Sequence, residues 1–425
     1  MKRKRLRIGL FGYGCVGQGL HDVLESSGFD AEIVRICVKD RRKPRRLPME
    51  IFTFERDDIL NDPSVNLVVE LTSDPEEAYR IVTTAMRNGK DVVTAGKTMV
   101  AAHLPELIAL QERYGVSLLY EASACASIPV IRNLEEYYDN ELLHSVEGIF
   151  NGSTNYILTR MQSGRMSYAT ALEEARANGF AEADPRLDVE GWDSKYKLCI
   201  ITGHAYGIFP APDEVFHLGI NNISEFDIRY ANEKGLRIKL VAHARKSGSD
   251  AVTGYVMPRF VSPGESLYIV NDEYNAVIAE AAFADRQFFY GKGAGGHATG
   301  CAVLSDISAS SYGYRYEYKK RNRGVVKRFI RDHRMEIYLR YNREEDRHLF
   351  GFEEVTEYFC GTDYKYVKGV VNLETLYSNR ELISRADVFA INTGRTIVSE
   401  AASSSRQTVG NPEKETVEET NYRTA

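Results

Sequence analysis

The stretch LRIGLFGYGCVGQGL, residues 6–20, decides the fold. Leu6 to Phe11 is a short apolar run of the kind that forms a parallel strand buried on both faces. Gly12-Tyr13-Gly14-Cys15-Val16-Gly17 follows it directly, and Val16 to Glu25 has the pattern of a helix. A second strand candidate, Ile33 to Val38, completes a βαβ unit around a G-x-G-x-x-G turn. Each glycine has its own task there. Gly12 allows the tight turn, Gly14 lets the backbone approach a pyrophosphate, and Gly17 lets helix and strand pack closely. The helix start adds free N–H groups and the positive end of a dipole. Gly12, Gly14, Cys15, Val16 and Gly17 are therefore candidate dinucleotide ligands.

Outward from this unit the alternation continues. After the second strand comes Lys39-Asp40-Arg41-Arg42-Lys43-Pro44-Arg45-Arg46. An acid at this point would hold a ribose 2′-hydroxyl, whereas basic groups accept a 2′-phosphate. Asp40 is surrounded by positive charge, which favours NADP over NAD through Lys39, Arg41 and Arg42; a solvated basic loop is the alternative. Val65 to Leu71 is a third strand, and Asp74-Pro75-Glu76-Glu77 starts a helix running through Arg87. Val92 to Thr94 is a strand, Leu104 to Tyr114 a helix and Ser117 to Tyr120 a strand. Strands separated by helices make a doubly wound parallel sheet, with ligands beyond the carboxyl ends of the strands. Thr72 and Lys97 fall at such ends.

Composition narrows the rest. A chain of 425 residues suggests two or three domains. Apolar residues at 43% and charged residues at 27% are ordinary for a globular protein. A formal charge of -6 makes a nucleic-acid partner unexpected. No apolar run reaches the ~20 residues of a membrane span, so no membrane partner is expected. The six cysteines, Cys15, Cys37, Cys125, Cys199, Cys301 and Cys360, are widely and irregularly spaced. That spacing predicts reduced thiols in a cytoplasmic protein, with neither a zinc site nor a disulfide framework. The basic start, Met1 to Arg5, precedes a glycine-rich stretch without a cleavage site and reads as part of the fold.

The middle of the chain holds two dense polar motifs. Asn151-Gly152-Ser153-Thr154-Asn155 reads as a turn and helix cap. Gly179-Phe180-Ala181-Glu182-Ala183-Asp184-Pro185-Arg186-Leu187-Asp188 leads into Val189 to Lys197, with Asp188 suited to cap a helix beginning there. Asp193 and Lys197 are four apart and share a helix face, which on pattern alone suits an ordinary surface ion pair.

At this point the chain resembles the homoserine dehydrogenase family. The resemblance is carried by GYGCVG (12–17), TAGK (94–97), YEAS (120–123), GIFNGSTNYILT (148–159), GFAEADPRLDVEGWDSKYK (179–197) and GKGAGGHAT (291–299), in order and spacing across residues ~6 to ~310. It implies a reversible hydride transfer between L-homoserine and L-aspartate 4-semialdehyde with NADP or NAD, toward threonine and methionine. Lys197 matches the general acid/base. A lysine serves as a base only when neutral, and desolvation and a second cation favour that form. Lys97 is placed by the resemblance to be that cation, touching the cofactor or a developing oxyanion. Glu182 and Asp193 match carboxylates that hold the substrate ammonium and orient the site, with Asp188 and Asn151 in support. Gly295 matches a cofactor contact. Glu121 begins a stretch that in relatives binds a monovalent cation such as Na+, with Ala124, Ala126 and Ile128 supplying carbonyls. A homodimer formed through the central domain is implied as well.

The resemblance also sets the expected architecture. A Rossmann-type domain spans 1–125 and is completed by about 297–312. An α+β substrate-binding, catalytic and dimerisation domain spans 126–296 and a small C-terminal α/β module 330–398; residues 399–425, polar and without periodicity, read as a disordered tail. The module reads as strand Glu336–Tyr341, helix Phe350–Phe359, strand Tyr366–Val371, helix Glu374–Arg385 and strand Val388–Ile391. Relatives often end in an ACT domain of this type, although its D-x-P-G-x-L ligand loop is absent here. Three departures cluster at the cofactor end: Gly96 for an asparagine, Thr72-Ser73-Asp74 for a glycine pair, and Cys125-Ala126-Ser127 for a glycine-rich run. They leave two alternatives open, a related dehydrogenase of another small amino acid and a regulatory homologue without turnover.

Overall fold

Six parallel strands, β1 (Leu6–Phe11), β2 (Ala31–Cys37), β3 (Phe52–Thr53), β4 (Leu67–Glu70), β5 (Asp91–Thr94) and β6 (Leu118–Leu119), form a sheet in the order β3-β2-β1-β4-β5-β6. The molecule is described from a computed structural model over residues 5–164, 166–322, 327–385, 387–395 and 397. The strand order runs outward in opposite senses from β1 and β4, so the carboxyl ends of these two strands open a crevice. Both strands are almost wholly buried, as strands covered on both faces must be. The Cys15–Ser27 helix packs on the Gly296–Ser311 helix, and Pro75–Arg87 on Lys97–Tyr114. The first pair is drawn together by small residues: a Cβ on Gly19 would lie 2.2 Å from the Gly296 backbone. Asp74 caps its helix as expected, accepting from Glu76 N at 3.1 Å and Glu77 N at 3.2 Å.

One helix begins earlier than the pattern predicts. Leu104 to Tyr114 is only the second part of an 18-residue helix that starts at Lys97 and passes through Pro105. Lys97 therefore stands in the first turn, where the helix dipole disfavours a cation by ~0.3–1 kcal/mol. A lysine held there needs a carboxylate from elsewhere.

The second sheet is mixed and has eleven strands among the described residues. Its central strands are β7 (Leu143–Ile149), β8 (Phe216–His217), β9 (Arg237–Lys246), β10 (Ala251–Val261), β11 (Tyr274–Ala281) and β12 (Asp285–Lys292). The Trp192–Tyr206 helix packs across β9 and β10 and against the Lys97–Tyr114 helix. Nearly every residue of that helix is buried, Lys195 and Lys197 included. An all-round apolar helix with buried charges lies between layers, and each charge must find a partner there. Asp188 corrects an expectation here. It belongs to a separate short helix, Arg186–Val189, and the Trp192–Tyr206 helix is capped by Gly191 in the left-handed conformation.

Beyond β13 (Arg328–Phe329), the C-terminal strands are β14 (Arg334–Tyr341), β15 (Glu354–Cys360), β16 (Lys365–Asn372) and β17 (Phe389–Asn392). They follow the antiparallel order β17-β14-β16-β15, a split βαβ arrangement, and β17 joins β10. Phe350–Phe359 is not the predicted helix. A short Glu344–His348 helix precedes it, Gly351 turns with φ +51°, and β15 pairs with β16. Val355, Thr356, Tyr358 and Phe359 are β-branched or aromatic, and that preference wins over a weak helical pattern. The tail expected over 399–425 lies outside the described residues.

Candidate active site

The crevice at the ends of β1 and β4 is shaped by backbone. Gly12 has φ +92°, and a Cβ there would sit 2.6 Å from the Leu71 carbonyl oxygen. No atom lies within 4 Å of where a Cβ of Gly14 would be, so that side of the loop is open to a ligand. Gly14 caps the Cys15–Ser27 helix with no side-chain bond, leaving its first N–H groups free toward the opening. Gly295 caps the Gly296–Ser311 helix in the same uncapped way, and a Cβ on Gly296 would meet the Cys15 carbonyl at 2.6 Å. Two uncapped helix starts thus adjoin, a donor set suited to a pyrophosphate. The residues present fit a dinucleotide.

Around the basic loop the side chains are partly engaged. Lys39 pairs with Asp74 at 3.1 Å, and Arg41 lies over the Phe54 ring at 4.6 Å. Asp40 turns its carboxylate inward to accept from the Arg42 backbone N at 2.8 Å. Thr72 directs its hydroxyl to Glu70 at 2.6 Å.

Glu70 is a site residue that sequence reasoning missed. Wholly buried at the end of β4, it accepts from Thr72 N and Oγ1 and from Thr94 Oγ1, each at 2.6 Å. Thr94 Oγ1 in turn accepts from Gly96 N at 2.9 Å. Burial pushes the Glu70 carboxyl up, and these hydrogen bonds oppose the shift. Through them the carboxylate ties the ends of β4 and β5 together just before Lys97. An acid closing a fully apolar strand was the available signal.

Deeper in, one carboxylate holds two lysines. Asp193 Oδ1 lies 2.6 Å from Lys97 Nζ, and Oδ2 lies 2.8 Å from Lys197 Nζ. Side-chain exposures of 37% for Lys97, 8% for Lys197 and 3% for Asp193 put Lys97 at the mouth and the other two inside. The surface-pair reading of Asp193 and Lys197 is thereby corrected. Lys97 and Lys197 come together from distant parts of the chain on this one carboxylate, which lies between their ammonium groups. Lys197 Nζ also donates to the Phe150 carbonyl at 2.6 Å, a backbone partner with no side-chain signature. Burial alone would raise Asp193, but Lys197 and Lys97 hold it far below the usual carboxylate range. Asp193 in turn holds the Lys97 ammonium above the ordinary lysine range.

Asn151 fixes this geometry. Its Nδ2 donates to Asp188 Oδ1 at 2.7 Å and Asp193 Oδ2 at 2.9 Å, while its Oδ1 accepts from Thr154 N at 2.8 Å. Its helix-capping reading holds, and the same side chain locks both acids. Burial and then the Asp193 charge raise the Asp188 carboxyl. Glu182 is exposed and close enough to Lys97 to add to its upward shift.

The Glu121 stretch folds differently from a simple ligand cage. Both Glu121 oxygens accept backbone N–H groups, from Ile131 at 2.8 Å and Arg132 at 2.9 Å. Burial, then the Asp306 charge, pushes its carboxyl up to about 7. Ile128 O accepts from Val130 N, whereas the buried Ala124 and Ala126 carbonyls accept no hydrogen bond among the described residues. Ala126 has φ +46°, a glycine-like conformation kept without a glycine.

Two family models match the chain: homoserine dehydrogenase over residues 129–308, and the homoserine dehydrogenase NAD binding domain over 12–121. A homoserine dehydrogenase of Corynebacterium glutamicum is 37% identical over 313 residues, covering 71% of this chain and 70% of that protein. The crystal structure of a homoserine dehydrogenase from Thiobacillus denitrificans superposes with a TM-score of 0.80 at 27% identity, covering 92% of this chain and 99% of the other. A hyperthermophilic archaeal homoserine dehydrogenase mutant in complex with NADPH gives 0.63 at 25% identity, over 74% of this chain and all of that one (100%).

Proposed function

The chain belongs to the homoserine dehydrogenase family, and we propose that Lys197 is the general acid/base with which it interconverts L-homoserine and L-aspartate 4-semialdehyde. The activity is that of an NAD(P)-dependent oxidoreductase of amino-acid biosynthesis. The observation that carries the assignment of roles is the Lys97–Asp193–Lys197 bridge locked by Asn151.

A tetrahedral amine nitrogen explains why Lys197 suits the task. Two of its positions are fixed on Asp193 and the Phe150 carbonyl. The third carries a proton in the ammonium form and a lone pair in the neutral form. The neutral amine keeps both hydrogen bonds, and its lone pair takes the proton of the substrate hydroxyl as the oxidation proceeds. In the reverse direction the ammonium returns that proton to the aldehyde oxygen. The nicotinamide, when bound, accepts or supplies the hydride at the same carbon. Lys97, at the mouth and firmly cationic, stabilises negative charge developing on the substrate oxygen. Glu182 and Asp188 hold the substrate ammonium beside it.

NADP is the preferred cofactor, supported by Lys39, Arg41 and Arg42 and by an Asp40 carboxylate turned into its own loop. NADPH in the archaeal relative agrees with this preference. A monovalent cation such as Na+ would be held by the Ala124 and Ala126 carbonyls beside Glu121, and the molecule works as a homodimer through its central portion. Cation binding is tested by a thermal midpoint that rises in NaCl over choline chloride, and dimerisation by light scattering.

Steady-state assays with homoserine and other hydroxy-amino acids, following reduced cofactor, test the reaction. Asp193→Asn should lower kcat by ~10²-fold while leaving the cofactor Kd within about twofold, because it removes the carboxylate that orients both lysines. Full activity in that variant would remove the bridge from the mechanism.

A further inference from the structure

Where β10 meets β17, and the central strands pass into the C-terminal ones, lies a polar cavity of about 430 Å³. Arg245, Tyr255 and Arg259 of β9 and β10 line one side, with Glu147 of β7. His333, Arg334 and Arg395 line the other. Six cationic side chains, five of them arginine, reach the cavity, and most are paired: Lys246 with Glu141, Arg259 with Glu265 as well as Glu147, Arg286 with Glu280, and Arg395 with Glu336. Glu147 is already engaged, by Arg259 at 2.9 Å, Arg286 at 3.1 Å and His243 at 3.2 Å. Arg334, half-exposed at the cavity rim, pairs with Glu353 at 2.5 Å, a partner that an incoming anion would have to displace. Arg245 has no ion-pair partner among the described residues.

The cavity also holds a row of rings. His243 lies 5.3 Å from Tyr255 at 30°, and Tyr255 lies 6.0 Å from His333 at 23°. Burial first, then the neighbouring His243 and Arg245, hold His333 down at about 4, so its ring lines the cavity uncharged.

We propose that this cavity binds a small phosphoryl-type oxyanion, held by Arg245 from the central sheet and Arg334 from the C-terminal strands. An anion with three acidic oxygens can accept planar arginine forks from two sides, whereas a single carboxylate presents one edge. Free phosphate supplies that chemistry, and so does a phosphate monoester whose organic group stacks on the ring row. β7 carries Glu147 and ends two residues before Asn151, so the anion sits at one end of the strand that sets the Phe150 carbonyl and Asn151.

The test is calorimetry on the full chain saturated with NADP+, which fills the nucleotide loop. The probes are inorganic phosphate and phenyl phosphate at ionic strength fixed with KCl. One-to-one binding with Kd below ~1 mM is expected for one or both. It should weaken at least tenfold in Arg245→Ala and in Arg334→Ala, and stay unchanged in Lys39→Ala, whose lysine lies on the nucleotide loop. Tighter phenyl phosphate identifies a monoester, and equal or tighter phosphate identifies the free ion. No saturable binding, binding indifferent to both arginine variants, or binding lost in Lys39→Ala overturns the site.

Discussion

Asp193 is asked to do two opposite things, to be buried and to remain charged. Burial of a lone carboxylate would cost several kcal/mol, and the two lysines with Asn151 offset that cost. Glu121 shows the contrary case, a buried carboxyl facing the like charge of Asp306. Its folded value of about 7 stands above the ordinary 4.5, so it binds a proton in the folded state that the unfolded chain releases. Its contribution to stability is complete below pH ~4.5 and is lost as pH rises through ~7, by roughly 3 kcal/mol. Glu121→Gln should flatten the fall of the thermal midpoint between pH 5 and 7.5. An unchanged slope would show that Glu121 is not the titrating group. At this scale Lys97, Asp193 and Lys197 were legible in the sequence, because a motif reports which side chains are present. That Asp193 stands between the lysines was not, since it depends on where the Lys97–Tyr114 and Trp192–Tyr206 helices cross.

Among elements, the alternating first third was read closely because each strand is an apolar run, a glycine turn opens the Cys15–Ser27 helix and Asp74 caps Pro75–Arg87. Lys97–Tyr114 was truncated because Pro105 in its interior and a cation in its first turn both argue against a helix. Tertiary packing and Asp193 override them. The β15 segment was misread for the reason its residues are exposed: without a buried face, periodicity carries little information. The 124–128 loop makes the sharpest prediction at this scale. Ala126 adopts φ +46°, where a non-glycine residue costs ~1–2 kcal/mol. The extra freedom of glycine in the unfolded chain returns part of that gain. Ala126→Gly should therefore raise the thermal midpoint by about 1–3 °C without moving kcat more than about twofold. A lower midpoint would mean that the alanine methyl packs well enough to outweigh the strain.

For the molecule as a whole, function lies between two sheets. The doubly wound sheet presents the open glycine loop, and the Trp192–Tyr206 helix on the second sheet brings Asp193 and Lys197 up to Lys97. Ligand binding across such a junction stabilises the folded state by mass action. At equal millimolar concentrations NADP+ should raise the thermal midpoint by several degrees more than NAD+, if the basic loop reads the 2′-phosphate. Equal shifts would assign that loop to solvent. The most direct test of the central claim is the turnover of Lys197→Ala with homoserine, measured alongside its affinity for NADP+. Loss of kcat by 10²- to 10⁴-fold with cofactor affinity within about twofold is the predicted result. Turnover close to that of the unaltered protein would contradict Lys197 as the proton acceptor.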